Sequence, residues 1–86
     1  MSGFFVLDVP EFEALVEAAR RNDRCKVHPA KAGYHFVEFH DSMTLERSET
    51  GLNEAVWFGC MTGGLDGKIA VFSSGRLELV ATNEPP

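Results

Sequence analysis

At 86 residues, 44% hydrophobic and 24% charged, the chain has the composition of an ordinary globular protein and length for one core, so a single domain over 1–86 is expected. A net charge of −5 argues against a general nucleic-acid binder, which needs a basic footprint. Cys25 and Cys60 make no disulfide framework, no stretch approaches the roughly 20 apolar residues of a membrane span, and Phe4–Leu7 is too short for a signal segment, so a soluble cytoplasmic protein is expected.

Phe4–Leu7 reads as a short strand leading into the one strong helix signal, Asp8–Asn22. Asp8 is a good N-cap, and Glu11 follows at capping-box spacing. Pro10 falls in the first turn, where its missing N–H costs nothing. Val9, Phe12, Leu15, Val16 and Ala19 form one apolar stripe. Glu11, Glu13 and Glu17 lie toward the start, and Arg20, Arg21 and Arg24 at or past the end, so the charges complement the macrodipole. Asn22-Asp23 reads as the stop, and nothing later reads as helix.

Cys25–His28 reads as a short strand ended by Pro29, and Ala30–Gly33 as a turn. Tyr34–His40 is an aromatic-rich strand, with Asp41-Ser42 as a tight turn into a polar strand, Met43–Glu49. A loop at Thr50–Asn53 leads to a strand, Glu54–Cys60, carrying Val56, Trp57 and Phe58. Met61–Gly67 is a loop with the Asp66-Gly67 turn signal. Lys68–Ser73 and Arg76–Thr82 form a hairpin about Ser74-Gly75, and Asn83–Pro86 a frayed tail. The order predicts an α+β fold: an antiparallel meander of about five to six strands with one helix on one face.

Both hairpins carry apolar residues on both faces. Around Ser74-Gly75, Phe72 is expected opposite Leu77 and Ala70 opposite Leu79 on the core side, with Val71 opposite Glu78 and Ile69 opposite Val80 on the other. If Asp41-Ser42 is a turn, Tyr34, Phe36, Glu38 and His40 share a face with Met43, Leu45 and Arg47. His35, Val37 and Phe39 then share the other with Thr44 and Glu46. One helix covers only one such face, so a second copy of the chain is expected over part of the other.

Several residue sets could carry chemistry. Cys25, His28, His35 and His40 form a C-x2-H-x6-H-x4-H series with zinc-ligand residue types. Five positions separate His35 from His40, which points them to opposite strand faces, so no metal site is expected. Glu38, His40 and Tyr34, beside Phe36, are the best acid–base candidates, because apolar surroundings shift carboxyl groups and imidazoles move protons. Phe36 and Arg47 are placed as a cation–π pair. Arg20, Arg21, Arg24, Lys26 and Lys31 could seat an anion, against the plainer role of complementing the helix dipole. Gly63–Gly67 lacks the Lys-Ser/Thr of a phosphate loop. Trp57 and Phe58 divide between core and interface.

The expected function is a non-catalytic accessory, regulatory or inhibitory protein that binds another protein, as a homodimer and without cofactor. The alternative is a binder or enzyme for a small aromatic or anionic molecule. Its pocket would be walled by Tyr34, Phe36, Trp57 and Phe58, with Glu38 and His40 as acid–base groups.

Overall fold

The computed structural model describes residues 2–82, and the tail expected at 83–86 lies outside them. The elements are β1 (Ser2–Leu7), a 3-10 turn (Pro10–Phe12), α1 (Glu13–Arg20), β2 (Cys25–Val27) and β3 (Tyr34–Phe39). They continue with β4 (Ser42–Glu46), α2 (Arg47–Thr50), α3 (Glu54–Phe58), β5 (Leu65–Asp66), β6 (Lys68–Phe72) and β7 (Arg76–Val80). The class is the expected α+β with antiparallel pairing, but the strands divide into two sheets, β2-β3-β1-β5 and β4-β7-β6. Among the described residues, no helix is long and apolar enough to cross a membrane.

Two bent ribbons join the sheets. Only His40 and Asp41 separate β3 from β4, with Asp41 at φ +62°, and only Gly67 separates β5 from β6. Each ribbon gives its first half to one sheet and its second half to the other, a corner built by bending a strand. The Asp41 carbonyl accepts from the Ala81 N–H at 2.8 Å, which ties one corner to the end of β7. The hairpin expected about Asp41-Ser42 is therefore absent: β3 pairs with β1 and β2, and β4 with β7. The reason lies in the side chains. A flat hairpin would put Val37 and Phe39 on one face and Met43 and Leu45 on the other. Changing sheets at the corner brings all four into one core.

That core gathers Phe4, Val6, Val37 and Phe39 from the first sheet and Met43, Leu45, Leu77 and Leu79 from the second. Leu15, Val16, Ala18 and Ala19 of α1 and Trp57 of α3 complete it. The helix stripe thus meets the core as expected at Leu15, Val16 and Ala19, while Phe12 is only partly buried against it. Asn22 Nδ2 donates to the Thr44 carbonyl at 2.7 Å, so the end of α1 covers the outer edge of β4.

Four local expectations are corrected. Asp8 does not cap α1: the 3-10 turn begins after Val9 with Pro10 in its first turn, α1 begins after Phe12, and neither start has a side-chain cap. Asp8 turns instead toward His35, with Oδ1 3.3 Å from Nε2. The strand expected to run to Glu49 stops at Glu46, whose side chain forms a capping box with Glu49 and starts α2, closed by Gly51 at φ +70°. Glu54–Cys60 is not a strand but contains α3, because Asn53 accepts from the Val56 N–H at 2.9 Å and nucleates a helix. In the last hairpin Phe72 faces Leu77 and Val71 faces Glu78 as expected, but a bulge at Ala70 then pairs Ile69 with Leu79 and Lys68 with Val80.

Candidate functional site

Strand alternation gives the first sheet an inner face of Phe4, Val6, Val37 and Phe39. The register places Phe5 opposite Phe36, Leu7 opposite Tyr34 and Gly3 opposite Glu38 on the outer face. The β2–β3 hairpin closes with a backbone pair, Lys31 N–H to Tyr34 O at 2.8 Å and Tyr34 N–H to Lys31 O at 3.2 Å. Between them Ala32 and Gly33 have φ +55° and +87°, the positive pair of a type I′ turn. This turn overhangs the outer face and shapes an open groove of about 450 Å³, lined by Phe5, His28, Pro29, Lys31, Tyr34 and Phe36 together with Ala32.

Aromatic rings form the groove's floor. The Phe5 and Phe36 centroids are 4.9 Å apart, and the His28 ring lies 5.8 Å from Phe36. Glycines let two of these rings lie close to the backbone. A Cβ at Gly3 would stand 2.5 Å from Phe36 Cζ, and one at Gly63 2.8 Å from Tyr34 Cε1. The rings occupy space that any other residue would fill, so the surface they present is largely preformed.

Glu38 lies at the groove's border and is only 8% exposed. Its Oε1 accepts from His28 Nε2 at 2.8 Å, and its Oε2 lies 3.0 Å from His40 Nε2. The His28 hydrogen bond, helped by the charges of both imidazoles, holds the Glu38 carboxyl below its ordinary pKa against the opposing effect of desolvation. An ionised carboxylate only accepts, so His28 carries its proton on Nε2. No hydrogen bond to the His28 Nδ1 is made among the described residues. That nitrogen is left to form a hydrogen bond with a bound molecule.

The structure brings together Tyr34, Phe36 and Glu38, as their shared strand face requires, and joins His40 to Glu38 rather than to the groove. Arg47 lies elsewhere. Its guanidinium donates to the carbonyls of Ser74 and Leu52, bracing α2 against the β6–β7 turn, so the expected pair with Phe36 is not made. Trp57 is buried, its Nε1 donates to the Ser73 carbonyl at 2.7 Å, and its ring meets Phe72 edge-on at 6.0 Å. Phe58 also packs on Phe72, at 5.2 Å. The four-ring wall of Tyr34, Phe36, Trp57 and Phe58 is thus split, the first two on β3 and the last two on α3 against Phe72 of the second sheet.

The basic residues do not converge either. Arg20 pairs with Glu17, Arg21 donates to the Glu49 carbonyl at 3.4 Å, and Arg24 and Lys26 are exposed. Cys25 lies on the inner face of β2, and burial pushes its thiol pKa up to about 11. His35 faces the inner side, with Nδ1 3.0 Å from the His28 carbonyl and Nε2 toward Asp8. Among the described residues no three His, Cys, Asp or Glu side chains converge as a metal would need. A second hollow of about 350 Å³ runs beside α1, between His35, Asp8, Glu13, Glu17 and Arg20.

Phe5, Pro29 and Lys31 were missed as groove residues, and His28 was weighed only as a metal ligand. The signal was present: Phe5 falls between Phe4 and Val6 in an alternating strand, and pairing Cys25–His28 with Tyr34–His40 would have set His28 near Phe36 and Glu38.

Neither a protein-family model nor any curated protein matches the chain. The site's chemistry is therefore the guide to its use.

Proposed function

We propose that this protein binds a small planar molecule in the groove between Phe5, Tyr34, Phe36 and the β2–β3 turn. The carrying observation is a preformed aromatic floor in a hollow of about 450 Å³, within the range of roughly 300–1,000 Å³ that small-molecule sites occupy. His28, oriented by Glu38, supplies the polar contact that fixes a ligand's orientation. This develops the sequence-based alternative of an aromatic ligand binder, with His28 in the place given to His40. Titration with a planar aromatic probe, 2-naphthoate or 2-naphthamide, followed by amide chemical shifts, tests it. Shifts centred on Phe5, Tyr34 and Phe36, lost in Phe36→Ala, support the proposal; no shift there with either probe at millimolar concentration overturns it.

A second surface supports the reading of a protein-binding, self-associating accessory protein. Ile69 and Val71 are 48% and 38% exposed, and β6, which carries both, is the edge strand of its sheet. Large apolar side chains on a sheet edge favour a partner chain. Sedimentation equilibrium at micromolar concentration checks it: a species heavier than the 9.5 kDa monomer is expected, and a pure monomer removes self-association.

A further inference from the structure

The outer groove is unusual for its charge. The chain holds 13 Asp and Glu against 8 Lys and Arg, yet among the described residues no carboxylate lines the groove, and the one formally charged lining side chain is Lys31. Glu38, the nearest acid on that face, is engaged by His28 and His40. Lys31 is exposed at the groove's rim, and its backbone position is fixed by the turn. Its backbone is paired both ways with Tyr34 across a turn whose two central residues have positive φ. A non-glycine residue in that region, here Ala32, carries local strain of the kind that persists where surrounding structure over-determines it.

We infer that the groove's ligand is a planar aromatic anion, a carboxylate or a group of like charge and shape, whose ring stacks on Phe5 and Phe36 and whose anionic group meets Lys31. This rests on the ligand-binding reading above and names the ligand's class. Stacking alone would accept any planar ring, because every aromatic face offers the same surface. The exposed ammonium at the rim supplies the discrimination through an attraction that is strongest at low ionic strength. An acidic protein repels anions in general, so a local site that selects one needs its own cation, and Lys31 is that cation.

The matched pair 2-naphthoate and 2-naphthamide tests the inference, because the two differ in charge and hardly in shape. The intact chain is titrated with each at low ionic strength and followed by amide shifts of Phe5, Tyr34 and Phe36. The expected result is at least about fivefold tighter binding of the carboxylate, a preference reduced by 0.5 M salt. Lys31→Met should abolish the preference of the carboxylate over the amide, and Lys31→Arg should retain it. Equal binding of both probes, or a preference that survives in Lys31→Met, overturns the anion assignment and leaves the ligand-binding reading standing. Absence of groove shifts with both probes overturns the two together.

Discussion

Glu38 stands on an outer strand face, 8% exposed, with an imidazole at each oxygen. Its pKa is lowered in the fold, first by the His28 hydrogen bond. A group with a depressed native pKa stabilises the fold fully above its unfolded value of about 4.3 and loses that contribution as pH falls through the native value. The intact chain should therefore lose stability more steeply below about pH 4.5 than Glu38→Gln does. Urea melts at pH 7, 5, 4 and 3 measure the difference, and parallel curves would show that the imidazoles do not hold the carboxylate. Two backbone positions are equally specific. Ala32 at φ +55° should gain about 0.5–1 kcal/mol on change to Gly, since a Cβ is disfavoured there. Gly3→Ala should lose about 1–3 kcal/mol, because its Cβ would meet the Val37 carbonyl at 2.4 Å and the Phe36 ring. It should also disturb the groove, visible as weakened probe binding.

At the scale of elements, helix ends and bends position the site and the core. α3 exists because Asn53 caps it, and it delivers Trp57 to the core with its indole N–H on the Ser73 carbonyl. Asn53→Ala should cost about 1 kcal/mol in urea melts, whereas Asp8→Ala, which removes no cap, should cost clearly less than a cap. Leu15, fully buried mid-stripe in α1, should cost about 2–5 kcal/mol on truncation to Ala, through lost transfer and the cavity left behind. Glu13 and Glu17 are exposed off the stripe, and their Ala variants should stay within about 0.5 kcal/mol of the intact chain. A larger loss at Glu17 would mean that its pair with Arg20 does more than a surface ion pair normally does.

Over the whole molecule, the aromatic groove lies on the outer face of the first sheet and the exposed β6 residues belong to the second. Functions placed on the two surfaces should be separable. Val71→Lys should weaken any self-association by adding charge to an apolar edge, and leave 2-naphthoate binding within twofold. Phe36→Ala should do the reverse. Sedimentation equilibrium and probe titration on both variants decide the matter, and coupled losses would place the ligand and the second copy on one surface.

Local patterns in the sequence determined the class, the antiparallel strands, the inward stripe of α1 and the shared face of Tyr34, Phe36 and Glu38. Each depends on a periodicity of two or 3.6 that a few neighbouring residues express. The helices α2 and α3 were also legible in principle, in Glu46-x-x-Glu49, Gly51 and Asn53. Trp57 and Phe58 look like strand residues, and that propensity masked the caps. Tertiary structure alone decided the rest. Asp41-Ser42 reads as a turn by local chemistry, yet the chain bends there into a second sheet. Val37, Phe39, Met43 and Leu45 must share one core, and that constraint is non-local. The groove was hidden for the same reason. Phe5 and Phe36 come from β1 and β3, His28 and Lys31 from the β2–β3 connection, and only the register between β1, β2 and β3 sets them side by side.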